Sequence, residues 1–113
     1  MSPRRRRRRR VGFEPGFTLF GPREPAGPMG EVVLTVDEFE AIRLKDIEGL
    51  AQEDAAKRMG ISQPTFHRIL VSARGKIADA LMNGKAIRIG GGDYKMVARG
   101  AGGRGGGRGG PLR

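Results

Sequence analysis

Apolar and polar positions alternate with helical spacing over much of the chain's second half. From Gln52 to Ile69, QEDAAKRMGISQPTFHRI, two short helical patterns meet at Met59-Gly60-Ile61-Ser62. This spacing predicts a helix-turn-helix. Ala55 and Ala56 suit the crossing point of two close helices, where a larger side chain has no room. Gly60 falls at the corner, where a residue without Cβ adopts positive φ at little cost. Ser62 is placed to cap the second helix with its side-chain oxygen, and Pro64 belongs in its first turn, where a missing N–H breaks no helical bond. Phe66, Ile69, Leu70, Ala73, Ile77, Ala80 and Leu81 continue one apolar stripe, and Asn83-Gly84 reads as the stop. Gly75, opposite that stripe, costs ~1 kcal/mol relative to Ala and marks a candidate point of close approach.

The front of the chain has a different grammar. Val11 to Arg23 mixes aromatic residues with Gly and Pro, predicting an extended, turn-rich segment that packs Phe13, Phe17, Leu19 and Phe20 onto the helices. Neither a helix nor a central strand is expected there. Glu31 to Leu34 reads as a short strand, and Thr35-Val36-Asp37-Glu38 as a capping box opening a helix. Phe39, Ile42, Ile47 and Leu50 are that helix's expected core residues. Ala86 to Ile89 forms a second extended piece, which is expected to pair with the first within a chain or between chains. The fold class is therefore mainly α, a small helix-turn-helix domain with short extended segments.

Charge divides the chain into three. The net +10 splits as +6 over residues 1–30, 0 over 31–97 and +4 over 98–113. Arg4, Arg5, Arg6, Arg7, Arg8, Arg9 and Arg10 form a run of like charge that cannot build a core. Residues 1–10 are accordingly expected to be a disordered arm making nonspecific phosphate contacts, residues 11–97 the DNA-binding domain with its helix-turn-helix at 52–82, and residues 98–113 a disordered Gly/Arg tail. A solubilising arm is the plainer reading of the same run. The middle segment is polarised: Thr35 to Glu48 carries five acids against Arg43 and Lys45. Phosphate should be drawn to the second helix and the tails, and repelled by the first helix.

The outer arc of the long helix carries the candidate chemistry. Pro64, Arg68, Val71 and Gly75 lie on it, with Thr65, His67 and Ser72 to the side, and Ser62 to Lys76 contains no acid. A basic, acid-free helix face suits the major groove. Gln63, Thr65, His67 and Arg68 are the candidates for base edges, with Ser62, Ser72, Arg74 and Lys76 on phosphates. An ordinary helical hairpin with a solvated outer face is the bland alternative.

Other classes find little footing. No cysteine is present to form a disulfide or a thiolate metal site. His67 is the only histidine, too little for a metal site, and no cofactor is expected. Gly100 to Gly105 formally matches GxGxxG, but no strand precedes it and no helix follows. Asn83-Gly84-Lys85-Ala86 resembles a phosphate loop only superficially, since Asp79 and Ala86 stand where Gly and Ser or Thr are needed. No enzyme activity is expected. No apolar stretch is long enough for a membrane span, and the expected location is cytoplasmic and nucleoid-associated.

Val32 to Ile89, with the preceding Arg9 to Pro15, resembles the small prokaryotic proteins of the UPF0251 or DUF134 family. The resemblance implies a DNA-binding protein with a helix-turn-helix similar to region 4 of sigma factors. It places Gln52 to Met59 on the supporting helix, Gly60 to Ser62 at the turn, and Gln63 onward on the recognition helix. Ala51 departs from the pattern, standing where a capping Ser is usual, at a cost of ~1 kcal/mol. The arginine run and the glycine-rich tail are expected to lie outside the shared region. Some members are similar to proteins joined to an iron-molybdenum cofactor-binding type domain, which this chain is not expected to carry.

The expected function is that of a transcriptional regulator binding double-stranded DNA. The alternative is a sigma-like interaction module that docks on a protein such as RNA polymerase and holds DNA or RNA nonspecifically through its arginine-rich ends. A homodimer is expected to strengthen recognition by a small domain.

Overall fold

Val32, Val33 and Leu34 favour extended backbone, and Glu31–Leu34 forms strand β3, parallel to β4 (Ala86–Ile89), with Leu34 opposite Ile89. A computed structural model describes residues 8–23 and 30–97 of the chain. The expectations for Arg4 to Arg7 and for the tail 98–113 lie outside these residues.

Parallel strands need a long crossover, and here it contains three helices, α1 (Val36–Ile42), α2 (Gln52–Met59) and α3 (Gln63–Asn83). Strand β2 (Leu19–Phe20) pairs antiparallel with the other edge of β4, while β1 (Arg9–Val11) pairs in parallel with β5 (Tyr94–Met96). The expected pairing of the two extended pieces thus occurs within one chain.

The capping box forms as predicted. Thr35 Oγ1 accepts from the Glu38 amide at 3.4 Å, and Glu38 Oε1 accepts from the Thr35 amide at 2.9 Å. Two apolar clusters follow. One joins Ala41, Leu44, Ala55, Ala56, Met59, Phe66, Ile69 and Leu70 between the helices; the other joins Val11, Leu34, Val36, Ala73 and Ile89 between α3 and the strands.

Four expectations need correction. Arg9 and Arg10 are in strand β1 rather than in a disordered arm, because their backbone pairs with β5 and Val11 anchors the strand in the core. Phe13, Phe17, Leu19 and Phe20 are each at least half exposed instead of buried against the helices, although Phe13 touches α1 and Phe20 borders α3. β2 is a two-residue edge strand with both side chains open to solvent, and Phe13 stacks on Phe39 at the surface, ring centres 6.4 Å apart. Ile47 is exposed because α1 runs into a π-helical stretch, Arg43–Ile47, closed by the Glu48 amide on the Arg43 carbonyl at 2.9 Å. The wider turn shifts the inward positions, and Leu44 is buried in its place. Leu81 is also exposed, one position beyond buried Ala80. Gly75 meets nothing among the described residues: a Cβ added there has no neighbour within 4 Å.

Candidate nucleic-acid interface

Helix α2 ends on Gly60 at φ 70°, whose amide reaches the carbonyls of Ala56 and Lys57. Ile61 donates to the Ala56 carbonyl at 3.0 Å, so the chain turns sharply with its carbonyls satisfied. Ser62 then caps α3, its Oγ accepting from the Thr65 amide at 3.2 Å, with Pro64 in the first turn. Buried Ala55 and Ala56 allow the close crossing. Ala51 offers α2 no side-chain cap.

The eight candidate residues fall into three groups. Gln63, His67 and Arg68 are exposed on the first two turns of α3. With Pro64 and Gln52 they line a shallow groove of about 380 Å³. Ser62 and Thr65 are partly occupied by the cap, since Ser62 Oγ also donates to Thr65 Oγ1 at 2.9 Å. The Thr65 hydroxyl accepts from Arg68 Nη2 at 3.3 Å, which fixes the Arg68 side chain along the helix.

Ser72, Arg74 and Lys76 are elsewhere, bonded inside the molecule. Ser72 Oγ donates to Glu38 Oε2 at 2.6 Å. Lys76 Nζ donates to Glu38 Oε1 at 2.8 Å and to the Val33 carbonyl at 2.7 Å. Arg74 makes a two-pronged contact with Asp46, at 2.6 and 3.3 Å. Burial of Glu38 works to raise its pKa, but the hydrogen bonds from Lys76, Ser72 and the Thr35 amide outweigh it and hold the carboxyl below its ordinary value. The Arg74 guanidinium is held above its usual value by its hydrogen bond to Asp46.

The acids of the first helix are likewise consumed. Glu40 is buried and receives the Gly12 amide at 3.0 Å and both prongs of Arg43 at 2.9 Å. Arg43 also reaches Glu48 at 3.1 Å and lies 5.3 Å from the centre of the Phe13 ring. Burial alone would lower the Arg43 pKa; Glu40 and Glu48 raise it overall. Asp37 lies 3.5 Å from Arg9. The repulsion of phosphate expected from Thr35 to Glu48 is therefore largely neutralised by internal partners.

Gln52 was not among the sequence candidates. Its signal was positional: as the first residue of α2, it borders the groove at the start of α3. Among the described residues no three His, Asp or Glu side chains converge to hold a metal. None of the described helices is long and apolar enough to cross a membrane.

Residues 1–97 match the family described as "Protein of unknown function DUF134". The chain belongs to the DUF134 family. A UPF0251 protein of Moorella thermoacetica is 64% identical over 90 residues, covering 79% of this chain and 60% of that protein. Another, of Pelotomaculum thermopropionicum, is 55% identical over 96 residues, covering 84% and 73%. A third, of Caldanaerobacter subterraneus, is 55% identical over 105 residues, covering 92% and 89%. The chain thus spans about three fifths of the Moorella protein's length and most of the Caldanaerobacter one. No solved structure matches it. The DUF134 match begins at residue 1, so the arginine run, expected outside the shared region, falls within it. The Gly/Arg tail lies beyond the match.

Proposed function

We propose that this DUF134 protein binds double-stranded DNA through the N-terminal half of α3, laid in the major groove as the second helix of a helix-turn-helix, and acts as a transcriptional regulator. The observation that carries this reading is the groove of Gln52, Gln63, Pro64, His67 and Arg68, where exposed donors and acceptors converge and no carboxylate is present. Eight residues of α-helix span about 12 Å, close to the width of the major groove at about 12 Å. Arg68 suits the paired acceptors of guanine, and Gln63 the donor and acceptor of adenine. His67 lies between them in sequence, one turn after Gln63. Ser72, Arg74 and Lys76 are left to the fold. The reading assigns no catalytic step.

Selection of bound sequences from a random duplex pool, with the full chain at near-physiological salt, tests this. A defined motif should emerge. Its absence would leave the groove without a reading role.

A second reading, a homodimer, is favoured by the opposite end of α3. Leu81 and Met82 are exposed there, and Leu81 shares an apolar groove of about 320 Å³ with Phe20, Pro22, Ala80 and Ile87. Exposed apolar surface of this kind marks association. Sedimentation of the full chain should show a dimer that Leu81→Glu dissociates; a monomer at tens of micromolar removes this reading.

A further inference from the structure

The root of the arginine run is built into the fold at the corner between α2 and α3. Along an extended strand, neighbouring side chains face opposite ways, and the arginines obey this. Arg9 is turned inward, 3.5 Å from Asp37 and 3.6 Å from Asp93. Arg8 and Arg10, on either side of it, are exposed. Strand β1 packs against α2, and the Arg10 guanidinium covers Gly60: a Cβ added to Gly60 would lie 3.1 Å from Arg10 Nε and 3.3 Å from Cζ. Gly60 therefore serves twice, as the left-handed end of α2 and as the seat of Arg10.

The last turn of α2 adds Lys57 and Arg58, both exposed. Arg43, Arg74, Lys76, Lys85 and Arg88 all pair with carboxylates, as does Arg9. Arg8, Arg10, Lys57 and Arg58 have no such partner among the described residues. Four exposed cations without an ion-pair partner among the described residues thus lie about the corner at Gly60, three residues before Gln63, with the α2 acids Glu53 and Asp54 one turn before Lys57 and Arg58. Unpaired, exposed cations set beside one another repel, and a polyanion relieves that repulsion.

Resting on the DNA-binding reading above, we propose that Arg8, Arg10, Lys57 and Arg58 form a phosphate-gripping ridge on the sugar-phosphate backbone of the duplex that α3 reads. The ridge is held in fixed register with the reading helix by Arg9 and by the seat on Gly60. Backbone contacts of this type position a protein and carry no sequence information.

The test is the salt dependence of duplex binding, measured by fluorescence anisotropy with the full chain on a selected duplex and on a scrambled one. Each phosphate neutralised contributes about 0.9 to the slope of log K against log salt. The pair Arg8→Ala and Arg10→Ala should reduce the slope by about 1.8 and weaken both duplexes by the same factor, leaving the preference between them unchanged. Lys57→Ala with Arg58→Ala, which leaves strand β1 intact, should do the same and guards against misfolding in the first pair. An unchanged slope in the α2 pair, with the melting curve preserved, overturns the ridge. A guanidinium that only caps the C-terminal end of α2 would lower the melting temperature in Arg10→Ala and leave the slope alone, which also overturns it. If the wild-type chain shows no preference between duplexes, the reading role of α3 fails, while the slope still decides the ridge.

Discussion

Arg68 and Arg74 are the same residue type on the same helix, and the fold gives them opposite surroundings. Among the described residues Arg68 reaches only the Thr65 hydroxyl and borders an open groove, while Arg74 is committed to Asp46. The division extends to their neighbours: Gln63 and His67 face outward beside Arg68, whereas Ser72 and Lys76 close on Glu38. Among the described residues, a ligand approaching the first half meets donors held by nothing more than the 3.3 Å bond from Arg68 to Thr65. At the second half it must first replace bonds that hold α1, β3 and α3 together. Basic residues on a helix are therefore weighed by what already occupies them, and a count of charges along the sequence misses this.

The harshest way to break the comparison is to remove the anchor common to both halves. Phe66 is fully buried between the helices, and Phe66→Ala should cost about 3–5 kcal/mol in denaturant unfolding. That loss should abolish DNA selection as well. Glu38→Ala cuts only the second half. It strands Lys76 and Ser72 and removes one side of the capping box, so a loss of about 2 kcal/mol is expected. The acid limb of the stability curve should show the same group. Because folding holds the Glu38 carboxyl below its ordinary value, its contribution is complete above the unfolded carboxylate pKa and is lost as pH falls through the folded one. Wild type and Glu38→Ala should therefore converge on acidification; a gap that stays constant down to strong acid would show that Glu38 acts through packing alone.

Arg68→Ala sharpens the first half. Preference at one base pair should relax by ~1 to 3 kcal/mol while unfolding stability stays within about 0.5 kcal/mol. Equal weakening on all duplexes would make Arg68 a phosphate contact. The smallest effect belongs to Arg74→Ala. Its ion pair is about half exposed, and such pairs contribute about 0–1 kcal/mol, with no change in sequence preference expected.

Much of this was legible in the residues. The turn at Gly60, the Ser62 cap, the Thr35 box and the end of α3 at Gly84 follow from local backbone chemistry, and the structure has each in place. The buried positions from Phe66 to Ala73 follow from helical spacing. What escaped depended on partners distant in sequence. Arg9 and Arg10 look like part of a charged run until residues 94–96 supply a strand for their backbone. Tyr94–Met96 itself is too short, after three glycines, to show a period. The π-helical stretch at Arg43–Ile47 broke the helical period that placed Ile47 inside. Ser72 and Lys76 lie on a stretch of α3, Ser62 to Lys76, that has no acid, and the acid they serve is Glu38, 34 and 38 positions away.

The central claim is that the two halves of α3 divide reading from holding, and paired selections test it most directly. The full chain, a Gln63→Ala, His67→Ala, Arg68→Ala variant and a Ser72→Ala, Arg74→Ala variant would each be used to select from the same random duplex pool. The account predicts that the wild type and the second variant enrich the same motif, while the first variant, folded by its melting curve, enriches none. Loss of the motif in the second variant, with the first unaffected, would contradict it.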